Sequence, residues 1–138
     1  MVTDNQWAFD LGTTIFSIVK SKTLTELKSK YPDIFVTDKG KTNGKAVFPT
    51  VYIQELPGSE RGADLEGKSI NAVLETIQVD VTTNTSRADV NRVMCTVASI
   101  FKQMAFTVQS MPDFEYNGET YRKTARFQRI IGANDRLI

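Results

Sequence analysis

The sequence predicts an α+β fold, a two-layer sandwich in which helices pack on one face of a mostly antiparallel, four-stranded sheet. Residues 86–104 repeat apolar side chains at helical spacing, whereas residues 70–83 and 120–131 alternate apolar and polar side chains as strands do. No internal repeat or linker interrupts the 138 residues. We therefore expect residues 1–138 to form one domain with the element order α-β-β-α-β-β.

The first element is a helix over residues 4–31, because Ile15, Ile18 and Val19 recur at helical spacing and Pro32 ends the pattern. Thr23 and Glu26 have the spacing of a capping box, which marks helix starts. One bent helix and two short helices therefore fit this segment equally well.

Polar residues 37–45 indicate a loop, after which Pro49 opens a strand with Val51 and Ile53 on one face. Residues 55–69 contain three glycines and one proline. We expect them to form a long loop that becomes ordered when a partner docks.

Residues 70–83 show the clearest strand pattern in the chain. Apolar residues occupy even positions up to Leu74 and odd positions from Ile77, so the apolar face changes at Glu75 and Thr76. A β-bulge explains such a change, and so does a strand that passes from one packed face to the other.

Ser86 is the expected N-cap of the clearest helix, with Asp89 at capping-box spacing. Its apolar stripe should be buried against Ile77, Val79 and Phe127, and it consists of Val90, Val93, Met94, Val97, Ile100, Phe101 and Met104.

Two more strands complete the expected sheet. A short strand covers residues 106–110, turns follow at Pro112–Asp113 and Asn117–Gly118, and the last strand covers residues 120–131. The edges of such a sheet invite strand pairing with a neighbouring molecule.

The composition favours a protein that is not an enzyme. Seventeen basic and sixteen acidic residues leave a net charge of +1, and the chain has one cysteine and no histidine. Cys95 has no histidine to activate it, so we interpret it as a buried or half-buried structural thiol. We expect no disulfide, cofactor or bound metal, no membrane span and no signal peptide, and folding in a reducing cytoplasm.

Two charged regions remain as candidate contact surfaces. The carboxylates Glu55, Glu60, Asp64 and Glu66 lack the spacing of a calcium loop, so a solvated contact surface is the better interpretation. The last strand carries Arg122, Lys123, Arg126 and Arg129, which suit a partner contact or nucleic acid. Tyr121 and Phe127 fall on the face opposite Arg122 and Arg126, which argues against a base-stacking platform.

Three stretches resemble the tail-terminator family, the tail-to-head joining or minor capsid proteins of long-tailed phages and prophages of Gram-positive bacteria. They are Phe-Pro-Thr-Val-Tyr at residues 48–52, the segment from Arg61-Gly62-Ala63-Asp64-Leu65-Glu66-Gly67 through Ile70–Val73 to Gln78–Thr82, and Ala-Arg-Phe-Gln-Arg-Ile-Ile-Gly-Ala at residues 125–133. None of them is a catalytic signature. Their order and spacing agree with the family across nearly the whole chain.

The resemblance implies a structural protein of the virion, assembled in the host cytoplasm as a homo-hexameric ring. Such a ring caps the tail tube, stops its polymerisation, and presents a surface to the head-completion and neck proteins. DNA passes through the lumen without specific binding. Alternatives are another neck component, such as a head-completion or adaptor protein, and a nucleic-acid-binding α+β module.

The charged regions can be assigned within such a ring. A conduit wall should not hold phosphate, because each neutralised phosphate adds binding free energy. We therefore expect Glu55, Glu60, Asp64 and Glu66 to face the tube or the lumen. Arg122, Arg126 and Arg129 are the expected subunit or partner contacts.

Overall fold

A computed structural model describes residues 5–40, 47–62, 65 and 67–138. In chain order these residues form α1 (Gln6–Leu27), β1 (Phe35–Thr37), β2 (Thr50–Arg61), β3 (Ala72–Thr83), α2 (Arg87–Gln103), β4 (Thr107–Tyr116) and β5 (Tyr121–Gly132). The protein is α+β, as the sequence predicts. Its described residues form two helices and one open five-stranded sheet in the order β1-β2-β3-β5-β4.

The expectation of a four-stranded, mostly antiparallel sheet is wrong at one edge. Strand β1 pairs in parallel with residues 50–52 of β2, whereas β2–β3, β3–β5 and β5–β4 are antiparallel. The sheet is therefore mixed. Three residues are too few to show a period of two, and β1 exists because β2 lies beside it, where the Phe35 amide donates to the Pro49 carbonyl oxygen at 2.9 Å.

The expected long loop at residues 55–69 is also wrong in its first half, because β2 continues to Arg61. Pro57 is tolerated there since β1 covers only residues 50–52, which leaves the rest of β2 as an edge. The register shifts between Leu56 and Ser59. A Cβ atom on Gly58 would lie 2.5 Å from the Leu74 carbonyl oxygen, so this bulge needs a glycine.

The change of apolar phase in β3 has neither of the causes expected from the sequence. Strand β3 pairs with β5 without interruption from Ala72 to Thr83, so the bulge lies in β2 instead. Val73, Ile77 and Val79 belong to the same alternating row, and Glu75 is a buried polar member of that row.

The core lies between the helices and one face of the sheet. All seven residues of the α2 stripe are buried, as expected, and Ser86 caps the helix by accepting the Asp89 amide at 3.1 Å. Phe101 is fully buried and stacks on Phe127 with ring centroids 4.5 Å apart. Phe106 meets the same Phe101 ring edge-on at 5.2 Å.

Helix α1 is continuous and ends at Leu27, five residues before Pro32. The alternative of two helices is therefore wrong, and Thr23 is a fully buried residue of the helix interior instead of a cap. Val19, Leu24 and Leu27 pack into the core on both sides of this position, which favours a continuous helix.

Strand β4 runs through Pro112, where a turn was expected, and its register shifts on both sides of Ser110. The proline is accepted because β4 is an edge strand that pairs only with β5. The turn at Asn117 and Gly118 is confirmed, since Asn117 Oδ1 accepts the amides of Glu119 and Thr120.

Candidate assembly surfaces

The sheet face opposite the helices is polar, and hydrogen bonds tie β3 to β5 across it. Gln128 Nε2 donates to Thr76 Oγ1 at 3.1 Å, and Arg126 Nε donates to Gln78 Oε1 at 3.0 Å. Thr124 donates to Asp80 in the same way. Each pair joins residues that are directly opposite in the strand register. We call this surface the outer face.

Two of the three expected contact arginines lie on the outer face. Arg122 forms an ion pair with Asp80, with 3.2 Å between Nη2 and Oδ1, and the Asp80 side chain is nearly buried. Arg126 is exposed, and no carboxylate of the described residues lies within 4 Å of its guanidinium. The charge of Arg122 is thus neutralised within the subunit, whereas among the described residues the Arg126 side chain is hydrogen-bonded to Gln78 alone.

Arg129 does not belong to this surface. It lies on the helix side of β5, where its guanidinium donates to the carbonyl oxygens of Met104 at 2.7 Å and Arg136 at 2.9 Å. These bonds satisfy a carbonyl at the end of α2 and fix the C-terminal segment. Strand alternation places Arg129 on the other face from Arg122 and Arg126, so the three arginines do not share one surface, and their role in subunit or partner contact stays a prediction.

The expected acidic cluster is divided as well. Asp64 and Glu66 lie outside the described residues, and Glu60 is exposed near the end of β2. The carboxylate of Glu55 packs against α1, where a Cβ atom on Gly12 would lie 2.4 Å from Glu55 Oε1. Gly12 therefore allows the helix to approach this side chain closely.

Sequence reasoning missed Glu75, which is hydrogen-bonded to Glu55 and only 3% exposed. Burial first, and then the hydrogen bond and charge of Glu55, raise the pKa of Glu75 to about 9. The Glu75 carboxyl is consequently neutral near pH 7. The sequence did contain a signal for this residue, because Glu75 interrupts a row of apolar residues in β3. It lies at the point where the apolar side chains change from even to odd positions.

Glu75 forms the floor of a groove between the start of α1 and the bulge of β2. The groove has a volume of about 490 Å³, and Glu55 and Glu60 also line it. Its other side chains are mainly apolar and include Phe9, which is 75% exposed. Further lining residues are Ala8, Leu56, Pro57, Ile70 and Val73. We call it the acidic groove.

Asn5 fixes one end of the acidic groove. Its side chain donates to the Lys68 carbonyl oxygen at 3.0 Å and accepts the Ile70 amide at 2.9 Å. The chain entering β3 is therefore tied to the start of α1, so both walls of the groove are held together.

A second concavity, of about 560 Å³, lies at the end of the outer face. Phe35 and Tyr52 line it together with Lys39, Asp80 and Arg122. The sequence argued against a base-stacking platform because Phe127 lies on the face opposite the arginines, and Phe127 is indeed buried in the core. That argument did not consider Phe35 and Tyr52, which come from other strands. Aromatic and basic side chains do meet on this face.

Other chemistry is sparse in the part of the chain that the structure describes. Cys95 is exposed on α2, so the expectation of a buried or half-buried thiol is wrong. Among these residues, no three histidine, cysteine or carboxylate side chains are grouped as metal ligands. None of the described helices is long and apolar enough to cross a membrane.

No protein-family model matches this chain, and no curated protein matches it in sequence. The three stretches that resemble tail terminators can still be located in the fold. Residues 48–52 lead into β2, residues 61–82 extend from the end of β2 through most of β3, and residues 125–133 cover most of β5. These are three neighbouring strands of the sheet.

Proposed function

We propose that this protein is a tail-terminator subunit of a long-tailed phage. In this role it forms a hexameric ring that caps the tail tube, stops tube polymerisation and joins the tail to the head. It acts in the virion without catalysis, and it contacts the tail-tube protein and the neck proteins. DNA passes through the ring without specific binding.

The observation that carries the proposal is the adjacency of the three resembling stretches. Eight residues separate the first two stretches and 42 separate the last two, and their strands are direct neighbours, with Val51 opposite Val81 and Val79 opposite Ala125. Because β2 and β3 are consecutive strands, the convergence that supports the proposal is the pairing of the third stretch, on β5, with β3. A shared architecture explains the convergence.

The sheet edges favour assembly through side chains over strand pairing between subunits. Pro57 and a bulge interrupt the uncovered half of β2, while Pro112 and two register shifts interrupt β4. Such interruptions are how sheet proteins prevent edge-to-edge pairing. The sequence-based expectation that open edges build the ring is therefore replaced by contacts that involve the outer face.

Within the proposed ring, Glu60, Asp64 and Glu66 remain candidates for the tube or lumen rim. Arg122 and Arg126 remain candidates for the subunit contact. This arrangement keeps basic groups away from the sliding DNA, whose phosphates they would bind.

Negative-stain microscopy tests the proposal with the purified protein, alone and mixed with polymerised tail-tube protein from the same genome. We expect ring-shaped density at one end of each tube and no further growth at capped ends. Tube ends that stay bare and keep growing would contradict the proposal.

The variant Arg126→Glu should abolish capping while the subunit remains folded. Lys102→Glu is the matched control, because it reverses an exposed charge on α2, away from the outer face. If Arg126→Glu assembles normally and only DNA passage or retention changes, then the basic strand faces the DNA.

A second candidate function, binding of single-stranded nucleic acid, is favoured by the concavity that contains Phe35, Tyr52 and Arg122. Fluorescence anisotropy with a labelled oligonucleotide tests it at two salt concentrations. Binding that weakens steeply with salt and is lost in Tyr52→Ala would favour this function over a ring subunit.

A further inference from the structure

The acidic groove contains three carboxyl groups, and Arg129, the cation opposite Glu75 in the strand register, donates instead to the carbonyl oxygens of Met104 and Arg136. Among the described residues, ion pairs within 4 Å join Arg92 to Asp89 and Arg122 to Asp80, and the groove glutamates take part in neither. Glu75 is buried with another acid as its partner, which leaves the pair short of a positive charge.

The outer face has the complementary feature. Arg126 is exposed, and the bond from its Nε atom to Gln78 leaves the forked end of the guanidinium with no partner among the described residues. Arginine binds carboxylates well through this fork, because two parallel hydrogen bonds can form. Ile130 lies further along the same face of β5 and is 56% exposed, so it adds an apolar side chain.

We propose that the acidic groove of one subunit receives Arg126 from the outer face of a second copy of this chain. The guanidinium would lie between Glu55 and Glu75. Ile130 would pack near the exposed Phe9 of the groove rim. This inference rests on the proposed function, for which it names the contact between neighbouring subunits.

The position of the two surfaces fits a ring. The acidic groove lies at the α1 side of the β2 bulge, whereas Arg126 lies on the outer face of β5. One subunit can therefore use both surfaces at once, each with a different neighbour. Such head-to-tail contacts produce closed rings or filaments, whereas a contact between identical patches stops at a dimer.

Proton release gives the contact a measurable signature. Docking of a cation favours the ionised form of Glu75, so a proton should leave when subunits associate. Among the described residues, Glu55 and Glu60 line the same groove as Glu75, and Arg129 lies opposite it on β5; on α1, Asp10 follows the groove residue Phe9 in sequence. Arg129 is bound to carbonyl oxygens, and Asp10 is exposed and accepts a hydrogen bond from Gln6.

Site-specific cross-linking tests the contact in solution. In a Cys95→Ser background, Ser59→Cys marks the groove and Ile130→Cys marks the outer face, and neither change removes a charge. A short bismaleimide should join the two variants when they are mixed. Each variant alone should give no cross-linked dimer, since the contact is between unlike surfaces.

Charge variants in this cross-linking assay test the named residues. Arg126→Gln and Glu75→Gln should each lower the yield by about tenfold or more, which is typical for the loss of a charge-assisted bond. Arg126→Lys should retain more of the cross-linking yield than Arg126→Gln, because lysine keeps the positive charge. Lys102→Gln and Glu119→Gln, which change exposed residues elsewhere, should have no effect, and a cooperative thermal unfolding transition will show that each variant is folded.

The pH dependence separates ion pairing from a merely structural role. Association of the wild type, measured by sedimentation, should tighten with rising pH by up to about tenfold per unit between pH 6 and 8. Glu75→Gln should remove this dependence, because its amide has no proton to release.

The outcomes for the contact and for the function are distinct. Rings on tube ends that tolerate both Arg126→Gln and Glu75→Gln would overturn the contact and leave the proposed function standing. Cross-linking of the cysteines at positions 59 and 130 without any tube capping would support the contact and overturn the tail-terminator role. The absence of a mixed-variant cross-link at high protein concentration would overturn the contact.

Discussion

Helices α1 and α2 cover the same face of the sheet, but the surfaces that they bury differ. The side chains that α2 buries are apolar, and the stacked rings of Phe101 and Phe127 are among them. The residues buried on the α1 side include the polar residues Thr23 and Glu75. Glu75 is hydrogen-bonded to Glu55, whose carboxylate packs against Gly12 of α1. One side of the core is therefore built for stability, and the other retains polar groups that packing alone does not explain.

The difference shows where a small protein can place a binding function. Apolar burial provides most of the free energy of folding, so the α2 side has little tolerance for polar groups. The α1 side accepts a neutral buried acid next to a surface groove. The comparison leads to four predictions, from the largest expected effect to the smallest.

Truncation of Phe101 to alanine should lower the free energy of unfolding by about 3–5 kcal/mol, because it leaves a cavity in a fully buried site. Urea denaturation followed by circular dichroism measures the change. Phe9→Ala on α1 is the matched control and should cost less than about 0.5 kcal/mol, since this ring is 75% exposed. Equal losses in the two variants would remove the distinction between the helices.

Glu75→Gln should change how stability depends on pH. The folded-state pKa of Glu75 is about 9 and its ordinary value is 4.5, so the folded state holds a proton that the unfolded state loses. This group therefore contributes most below pH 4.5, and its contribution falls as pH rises towards 9, by at most about 1.4 kcal/mol per unit.

The glutamine variant has no such proton and should gain stability relative to the wild type as pH rises from 5 to 9. Denaturation at several pH values measures the difference, with Glu119→Gln as the exposed control. A difference that stays constant with pH would show that Glu75 is not a buried neutral acid.

The close approach of α1 to Glu55 can be measured with a double-mutant cycle. In a Glu55→Ala background, Gly12→Ala should stabilise the protein by about 1 kcal/mol, the usual gain when alanine replaces a glycine within a helix. In the wild type the added methyl group would meet the Glu55 carboxylate, so the gain should shrink or reverse. Equal effects in the two backgrounds would argue against the contact.

Thr23→Val should raise the free energy of unfolding by up to about 1 kcal/mol. The Thr23 hydroxyl is buried and has no hydrogen-bond partner among the described residues, and valine has nearly the same shape. Thr25→Val is the control, because the Thr25 hydroxyl donates to the Ser21 carbonyl oxygen at 2.9 Å. Thermal unfolding of both variants should show stabilisation by Thr23→Val alone.

The sequence by itself determined the elements whose patterns are long and regular. Helix α2 was predicted with its cap at Ser86 and its buried stripe, because seven apolar residues repeat at helical spacing. The cores of β3 and β5 were predicted for the corresponding reason, since alternation over many residues allows one register only. The α+β class follows from these elements.

Only the tertiary structure decided the features that depend on neighbours in space. Strand β1 has three residues and is a strand because β2 provides its hydrogen bonds. Pro57 and Pro112 read as loop and turn residues, yet both lie in strands, because each strand has an unpaired side that needs no amide there.

For the candidate contact surfaces too, the sequence identified the charged residues, and the fold decided their partners. The sequence identified Glu55, Glu60, Arg122 and Arg126 as charged residues, but it could not pair Arg122 with Asp80 or separate Arg129 from the outer face. The sequence shows Glu75 within the apolar row of β3, but its burial and its neighbour Glu55 are set by the fold. Composition and periodicity determine which side chains a chain carries, whereas the pKa and the partner of a carboxyl depend on distances that only the folded backbone sets.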